Sequence, residues 1–265
     1  MLTSLQNPLV KQMRKLHAAK ERDRQQMFLV EGTHLLEEAC GVDYPLEVVC
    51  FTQEWQGRYP ELWETVTQRS PRCELVNEAV LKAVATTVQP DGAVAIAERR
   101  ESAVPPIPQS GLTLALETLQ DPGNLGTLIR TAAATGTQGI WLSADSVDAA
   151  SPKVLRASAG QWFRLPVSIS ADLKSDVIRA QQQGVQVIST TADAPLTYWE
   201  IDYHQPTLVL LGNEGAGLSA DLLSTADHQV RIPLQSGVES LNVAIAAALI
   251  LYEALRQTSH SSQVS

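Results

Sequence analysis

The sequence contains only three cysteines, and they follow no recognised pattern. Cys40, Cys50 and Cys73 are odd in number, widely spaced and outside any C-x-x-C motif, which excludes a disulfide framework and a zinc site of the usual spacing. The five histidines are also scattered, with no spacing that would let several of them bind one ion. We therefore predict small, unpaired core cysteines and no metal site.

Long apolar runs are absent as well. The longest, AIAAALIL, is too short to cross a membrane. The opening residues, MLTSLQNPLVKQMRKLH, contain no apolar region followed by a cleavage site, as a secretory signal would. Because 44% of the residues are hydrophobic, the chain can still bury a substantial core. These features predict a globular cytoplasmic protein with no membrane partner.

Three common catalytic motifs are missing. No G-x-x-x-x-G-K-[ST] sequence supports nucleoside triphosphate hydrolysis, and no G-x-S-x-G sequence supports a serine hydrolase. The glycine-rich stretch GNEGAG has the order G-x-x-G-x-G, whereas dinucleotide-binding folds use G-x-G-x-x-G. A nicotinamide-dependent enzyme is therefore the weaker alternative.

Positive charge is scarce, and the net charge of -9 at pH 7 disfavours a polyanionic partner. One short segment is an exception, because six basic residues are opposed there only by Glu21 and Asp23. The six are Lys11, Arg14, Lys15, Lys20, Arg22 and Arg24. Either this cluster faces the phosphates of a nucleic acid or it is an ordinary solvated helix face, and charge alone does not decide between them.

The domain boundary is predicted at residues 101–111, ESAVPPIPQSG, because three prolines and little apolar periodicity are typical of a linker. Residues 1–100 alternate helix-like and strand-like segments, which indicates a small α/β domain. Residues 112–257 alternate strands such as LTLALE, TLVLLG and VRIPL with helices, which predicts a mostly parallel sheet covered on both faces. Residues 258–265, TSHSSQVS, are predicted to be a disordered tail.

Two loops that directly follow strands are candidates for ligand contact, since open α/β sheets bind ligands at the carboxyl ends of their strands. In LETLQDPGNLGTLIRTAAATG, Asn124 can cap a helix that begins at Leu125 and carries Arg130. In TLVLLGNEGAGLS, three glycines permit a tight turn and the close approach of a ligand to bare backbone. A well-formed helix start is the equally simple interpretation of the first loop.

A third loop, IPLQSGVESLNVAIAAA, places polar residues 235–240 before a very apolar helix. Ser240 or Asn242 can cap that helix, and a cap alone needs only one such residue. The helix begins with several alanines, which let backbone or ligand approach closely. A ligand pocket at this helix start is therefore the sharper interpretation.

The three loops DPGNLGTLIRTA, LGNEGAGLS and IPLQSGVESLNVAIAAALILYE, in this order, resemble the three motifs of the SpoU/TrmH family of RNA 2′-O-ribose methyltransferases, in the SPOUT superfamily. The resemblance spans about residues 112–257, and the opening NPLVKQMRKLHAAKERDRQQMFLVEGTHLLEEA resembles the family's N-terminal RNA-binding domain. It implies an α/β domain tied into a deep trefoil knot, preceded by a smaller α/β RNA-binding domain. It also implies S-adenosylmethionine as cofactor, ribosomal or transfer RNA as partner, and a homodimer through the C-terminal domain.

The resemblance also assigns residues. It places the methyl donor near Thr190, Leu211, Gly212, Ile232, Leu234, Ser240, Leu241 and Asn242. It puts Arg130 at the acceptor oxygen, with orienting groups from Asn124, Glu214, Ser240 and Asn242. Because an Arg side chain keeps its proton, with a pKa above about 12, we expect electrostatic activation and phosphate anchoring rather than general base catalysis.

RNA contacts are expected from Lys11, Arg14, Lys15, Arg22, Arg24 and Arg156. Arg156 lies with Ser158 in KVLRASAGQWFRLPV, which resembles the family's stretch between the first two motifs. The competing hypothesis is an RNA-binding protein that keeps the knotted fold and has lost catalysis.

Overall fold

The computed structural model describes residues 1–100 and 106–261, which form two compact units. The first unit comprises residues 1–100 together with 148–164, and the second comprises the remainder. The first five residues of the predicted linker, 101–105, and the last four of the predicted tail lie outside the described residues. The tail prediction began too early, because the final helix runs to Ser261.

The first unit is built around a four-stranded mixed sheet. Its elements within residues 1–100 are α1 (Pro8–Lys15), α2 (Ala19–Gln25), β1 (Met27–Glu31), α3 (Thr33–Gly41), β2 (Leu46–Phe51), α4 (Gln53–Arg58), α5 (Pro60–Arg69), β3 (Cys73–Leu75), α6 (Glu78–Val84) and β4 (Ala93–Glu98). The strand order is β1-β4-β2-β3. β4 is antiparallel to both of its neighbours, and β2 and β3 are parallel. The predicted small α/β domain is therefore present, with a sheet of mixed direction.

Helix α1 shows how sequence periodicity places charge on the surface. The Asn7 side chain caps the helix by accepting a hydrogen bond from the Leu9 amide at 2.9 Å. Val10 and Met13, one helical turn apart, are fully buried in the core of the unit. The basic residues Lys11, Arg14 and Lys15 lie off this buried side and face solvent. α1 ends at Lys15, and α2 begins at Ala19 after a short turn.

The elements of residues 106–261 follow one another as alternating strands and helices. In chain order they are β5 (Leu112–Leu116), α7 (Pro122–Ala134), β6 (Ile140–Ser143), α8 (Pro152–Ala157), a 3-10 turn (Gln161–Phe163), β7 (Val167–Ser170), α9 (Leu173–Gln182), β8 (Gln186–Thr190), β9 (Leu196–Thr197), a 3-10 turn (Tyr198–Glu200), β10 (Thr207–Leu211), α10 (Ala220–Leu223), β11 (His228–Arg231) and α11 (Val243–Ser261). No helix among the described residues is both long enough and apolar enough to cross a membrane.

The second unit contains a seven-stranded sheet in the order β7-β6-β5-β10-β8-β11-β9. Every neighbouring pair is parallel, which confirms the predicted mostly parallel sheet. The central strands β5 and β10 are buried throughout, as expected when helices cover both faces. Parallel pairing brings the carboxyl ends of β5, β10, β8 and β11 to one edge, so the loops after these strands meet there. The strand predicted over VRIPL ends at Arg231, and 232–234 continue as loop.

Residues 148–164 interrupt the second unit in sequence and belong to the first. The Arg22 guanidinium lies 2.6 Å from Asp148, and Arg164 lies 2.9 Å from Glu38. The buried Trp162 ring packs against the aromatic side chains of this unit. A boundary placed at 101–111 alone missed this discontinuity, because the apolar groups of 148–164 find their partners only in three dimensions.

Candidate active site

The end of β8 and the loops after β8, β10 and β11 line a cavity of about 260 Å³ in the second unit. Among the residues predicted to hold the cofactor, Thr190, Leu211, Gly212, Ile232, Leu234, Ser240 and Leu241 line this cavity. Asn242, the remaining predicted residue, lies next to it at the start of α11. The sequence did not single out Asn213, Glu239 or Val243, which also line it. Apolar side chains and glycine backbone thus make up most of the wall, and its charged residues are Glu214 and Glu239.

The glycine loop, residues 212–217, owes its shape to close backbone contacts. A Cβ atom on Gly212 would lie 2.1 Å from the carbonyl carbon of Gly217, so no side chain fits there. The Asn213 amide donates to the Gly217 carbonyl at 3.0 Å, and the reverse bond measures 2.9 Å. Gly217 has φ +71°, a conformation that glycine adopts at low cost. The expected tight turn is therefore present.

A chain of side-chain hydrogen bonds joins the three motif loops. Asn124 Nδ2 donates to Glu214 Oε1 at 3.0 Å, and Asn242 Nδ2 donates to Asn124 Oδ1 at 2.9 Å. Asn242 Oδ1 in turn accepts from the Ala244 amide at 2.9 Å and so helps to cap α11. Three residues that were predicted as catalytic, from three separate parts of the sequence, therefore form one connected unit.

Helix α7 begins earlier than its sequence suggested. Asp121 is the capping residue, and its side chain accepts from the Asn124 amide at 2.9 Å. Asn124 therefore lies in the first turn and does not cap the helix, contrary to the prediction. This position frees its side chain to bridge Glu214 and Asn242. Pro122 at the first helical position explains the earlier start, because its fixed φ suits a helix there.

Glu214 lies at the amino-terminal end of α7. Its carboxylate accepts from the amides of Asp121 at 3.1 Å and Gln120 at 3.3 Å, in addition to Asn124. Partial burial raises the pKa of Glu214, but these hydrogen bonds lower it by more than burial raises it. The pKa of Glu214 is therefore below its ordinary value. A helix amino terminus also favours negative charge. Glu214 is therefore an ionised acceptor at neutral pH.

Arg130 is not part of this connected unit. It is exposed on α7, and within residues 1–100 and 106–261 its side chain has no hydrogen-bond or ion-pair partner. Six residues separate it from Asn124, which turns it about 240° around the helix axis at roughly 100° per residue. The structure therefore leaves the Arg130 guanidinium open to an external anion and does not bring it to Glu214.

The residues predicted to contact RNA divide into two groups. Lys11, Arg14 and Lys15 are exposed on α1, and Arg24 is exposed but paired with Glu21 at 2.6 Å. These four residues remain available to an external ligand.

Arg22 and Arg156 both bond to other residues of the first unit, Arg22 in its interior and Arg156 at its surface, where the side chain is 35% exposed. Arg22 is only 4% exposed and donates to the Leu16 and His17 carbonyls, both at 2.8 Å, as well as to Asp148. Arg156 donates to the Thr86 hydroxyl at 2.7 Å and lies 3.3 Å from the buried Glu31. The prediction that Arg22 faces RNA is thus wrong, because its side chain is buried and its donors are bonded to groups of the same unit.

A second polar cluster at the same edge of the sheet was missed at the sequence level. Thr118, directly after β5, has φ +53°, which is rare for a β-branched residue. Its hydroxyl donates to Asp145 at 2.7 Å, and its amide donates to the Ser143 hydroxyl at 2.8 Å. The Ser143 and Thr118 hydrogen bonds lower the pKa of Asp145. No local sequence signal marks a positive φ at a threonine.

Two known family models match this chain, one in each half of the sequence. Residues 111–252 match the SpoU rRNA methylase family, and residues 7–95 match a substrate-binding domain of the MRM3-like type. The chain therefore belongs to the SpoU rRNA methylase family, and the resemblance inferred from its three motifs is confirmed. Among the described residues no group of three His, Cys, Asp or Glu side chains is arranged to hold a metal ion.

Relatives extend this match over nearly the full length. An uncharacterized tRNA/rRNA methyltransferase of Synechocystis is 50% identical over 97% of this chain and 93% of the relative. The 23S rRNA (guanosine(2553)-2′-O)-methyltransferase RlmP of Bacillus subtilis is 36% identical, covering 95% of this chain and 97% of RlmP. A crystal structure of an AdoMet-bound rRNA methyltransferase from Sinorhizobium meliloti aligns with a TM-score of 0.86 and 35% identity, covering 96% and 97% of the two chains. The SPOUT fold expected from the motifs is therefore the fold of this chain.

Proposed function

We propose that this protein transfers a methyl group from S-adenosylmethionine to the 2′-hydroxyl of a ribose in RNA. The observation that carries the proposal is the hydrogen-bonded chain Glu214–Asn124–Asn242, which joins three motif loops beside a cavity that Glu214 lines. A cap at each helix would need only a local hydrogen bond, whereas this chain connects residues about ninety and more positions apart in sequence. Such an arrangement is typical of a site that orients a substrate.

The cavity fits S-adenosylmethionine in its chemistry. Leu211, Ile232 and Leu241 offer apolar contacts, and the bare backbone at Gly212 offers amide and carbonyl groups at close range. When bound, this cofactor supplies a methyl group on a positively charged sulfur. Few charged groups line the cavity, which suits a ligand recognised by shape and by main-chain hydrogen bonds. The Sinorhizobium relative, with AdoMet bound, supports this assignment.

In the proposed reaction the ribose 2′-oxygen forms a bond to the methyl carbon while the carbon–sulfur bond breaks. The hydroxyl proton passes to a neighbouring phosphate or to water. We assign Arg130, as the family resemblance implies, to the developing negative charge on that oxygen. Its guanidinium is exposed and has no partner among the described residues, so it is open to an anion that the RNA brings. Glu214 orients rather than accepts the proton, since its oxygens already accept three hydrogen bonds and its pKa is lowered. In this proposal Ser240, which lines the cavity, orients the ribose.

In this proposal the first unit binds the RNA substrate. The exposed Lys11, Arg14 and Lys15 form a basic face on α1 that phosphates can neutralise. The match of residues 7–95 to a substrate-binding domain supports this role. The relative RlmP is named as a guanosine 2′-O-methyltransferase of 23S rRNA, which favours ribosomal RNA as the substrate. Transfer RNA is the other substrate to test. Both substrates imply a cytoplasmic location.

We further propose a homodimer through the second unit. Ile245, Leu249 and Tyr252 recur on one face of α11 and are 52%, 37% and 53% exposed. Large apolar side chains at this spacing form a stripe that water covers poorly, and a second copy of the same helix would bury it. We also propose that the C-terminal part is threaded as a trefoil knot, which the family resemblance implies and which the alignment to the Sinorhizobium structure supports.

The function is tested by mapping ribose methylation in cells. Total RNA from cells with and without the gene is compared for 2′-O-methyl groups, and the site that disappears is restored by the intact gene. We expect the loss of one or a few 2′-O-methyl groups in rRNA or tRNA. An unchanged map would favour the RNA-binding alternative without catalysis. Titration with S-adenosylmethionine and NAD separates a methyltransferase site from a nicotinamide site.

A further inference from the structure

Asn213 makes more hydrogen bonds than a residue in an exposed glycine loop needs. Its side-chain oxygen accepts from the amides of Gly215 at 2.9 Å and Ala216 at 3.0 Å. Its side-chain nitrogen donates to the Thr118 carbonyl at 2.9 Å, and its backbone pairs in both directions with Gly217. One side chain therefore closes the loop after β10 and ties it to the loop after β5.

The group that Asn213 holds in the neighbouring loop is itself fixed. Thr118 keeps its left-handed conformation because Ser143 accepts from its amide and Asp145 accepts from its hydroxyl. A β-branched residue in this conformation is strained, and such strain persists only where surrounding contacts impose it. The Thr118 carbonyl therefore points in a direction set by the sheet edge. A bond from Asn213 to this carbonyl transfers that direction to the glycine loop.

Glu214 follows Asn213 directly, so the backbone conformation of Asn213 sets the position from which the Glu214 side chain extends. The carboxylate then reaches the amides of Gln120 and Asp121 and the side chain of Asn124. The bond from Asn213 Nδ2 to the Thr118 carbonyl is the contact by which the residue 213 side chain holds the loop after β10 against the loop after β5. A small displacement of a group that orients reactants lowers the rate steeply, by up to about a hundredfold per ångström.

We propose that Asn213 is a positioning residue for methyl transfer, which closes the glycine loop, bonds the strained Thr118 and thereby presents Glu214 to Asn124. This inference rests on the proposed function. Asn213 acts through Glu214, so the two residues form one functional unit and their effects on the rate overlap. The amide is required for both tasks, because its oxygen closes the loop and its nitrogen makes the link.

Two substitutions separate these tasks. Asn213→Asp keeps the acceptor oxygen for Gly215 and Ala216 but loses the donor to Thr118, whereas Asn213→Ala loses both. We expect kcat for methyl transfer to fall roughly 10- to 100-fold in both variants. We expect the Kd for S-adenosylmethionine to rise less in Asn213→Asp than in Asn213→Ala, because the loop that lines the cavity stays closed. A parental kcat in a folded Asn213→Asp variant would overturn the proposal.

A double-substitution cycle shows whether Asn213 acts through Glu214. Residues that act as a unit give non-additive losses. We expect Asn213→Ala combined with Glu214→Ala to be no slower than the slower single variant, within about threefold. Losses that multiply would show independent roles and would overturn the inference. If Asn213→Ala does not fold, the same cycle with Asn213→Asp gives the same decision.

Asp172→Ala is the matched control, because Asp172 caps α9 in the same unit through the Ser175 amide and hydroxyl. It removes a comparable local cap, and we expect kcat within twofold of the parent. A tenfold loss in this control would assign the Asn213 effect to general destabilisation and would overturn the inference. Absence of RNA methylation by the parental enzyme would instead contradict the proposed function, so the two failures are distinguishable.

Discussion

Replacement of Asn124 by aspartate changes the central link of the hydrogen-bonded chain while keeping its shape. The Nδ2 donor, which lies 3.0 Å from Glu214 Oε1, becomes an oxygen that carries negative charge. The acceptor for Asn242, at 2.9 Å, is retained. Two carboxylates then face each other at hydrogen-bond distance, so Glu214 loses one partner and gains a repelling neighbour.

The expected magnitude follows from these contacts. A hydrogen bond to a charged group contributes about 1.5 kcal/mol at the lower, solvent-exposed end of the range, and repulsion between two exposed charges adds about 1 kcal/mol. If the site must regain the original geometry for each turnover, a barrier higher by about 2–3 kcal/mol slows methyl transfer roughly 30- to 150-fold. Because Asn242 keeps its partner, we expect little change in S-adenosylmethionine affinity.

The pH dependence of the methyl-transfer rate distinguishes repulsion between the two carboxylates from a general loss of structure in Asn124→Asp. In the parent, hydrogen bonds lower the pKa of Glu214, so the stability that the ionised carboxylate contributes is present at neutral pH and is lost only below the ordinary pKa of 4.5. In Asn124→Asp the paired carboxylates raise the pKa of one of them, and a shared proton restores a hydrogen bond. The rate relative to the parent should therefore rise as pH falls from about 7.5 to about 5.5.

The assay measures initial rates of methyl transfer to RNA at saturating cofactor for parent, Asn124→Asp and Asn124→Ala at each pH. Asn124→Ala is the control, because an alanine cannot share a proton and its relative rate should not recover. A near-parental rate of Asn124→Asp at pH 7.5 would show that the bond from Asn124 to Glu214 does not limit methyl transfer. A loss of activity that is equally large at both pH values would refute the role of the carboxylate pair.

Four further outcomes are expected. Arg130→Ala should slow methyl transfer about a hundredfold or more with cofactor affinity retained, and Arg130→Lys should keep only part of the parental rate. A near-parental rate in a folded Arg130→Ala variant would remove Arg130 from the mechanism. Gly212→Ala should raise the Kd for S-adenosylmethionine at least about tenfold by forcing the loop open, and equal affinities would show that the loop tolerates a side chain. Gly57→Ala is the control, because beyond its chain neighbours and its own helix the new Cβ would meet no described atom within 4 Å. Tyr252→Glu should convert the proposed homodimer to a monomer near 28.7 kDa in light scattering. A parental enzyme that is already monomeric would contradict the proposed dimer. Arg22→Ala should lower the free energy of unfolding by about 3 kcal/mol in denaturant titration, because it leaves buried polar partners unsatisfied, and a change below about 0.5 kcal/mol would indicate a surface role instead.

The sheet of the second unit was predictable because its strands are short apolar runs bounded by turn residues. The motif loops were predictable for the same reason, since each follows such a strand and contains residues that suit a turn or a helix start. Loops that follow adjacent parallel strands must meet, and Asn124, Glu214 and Asn242 do form one connected unit. Sequence order and sheet direction together were therefore sufficient for the place of the site.

Features that depend on distant contacts were not predictable. Arg22 belongs to a basic cluster in sequence, yet its burial depends on Asp148, which is 126 residues away. Thr118 carries no local sign of its positive φ, because Ser143 and Asp145 impose it from another strand end. The membership of 148–164 in the first unit likewise arises from pairs such as Arg164 with Glu38. For this reason, deleting residues 1–100 is a poor test of separate modules, since it would remove the partners of 148–164 and leave the buried groups of that segment exposed.

Deletion of the first unit should therefore be replaced by surface substitutions that leave the fold intact. Combined Lys11→Glu, Arg14→Glu and Lys15→Glu changes reverse the exposed basic face of α1 without touching its buried side. RNA affinity should fall and become less dependent on salt, while S-adenosylmethionine affinity stays within a few-fold. A collapse of cofactor affinity in the folded variant would contradict separate roles for the two units.

The most direct test of the central claim uses the purified protein, S-adenosylmethionine with a labelled methyl group, and RNA from cells that lack the gene. The RNA is digested to nucleosides, and the labelled nucleoside is identified by mass spectrometry. A methyltransferase of the proposed kind places the label on the ribose 2′-oxygen, and Arg130→Ala abolishes most of it. Label on a base, or no label in RNA when the protein binds both RNA and cofactor, would contradict the account.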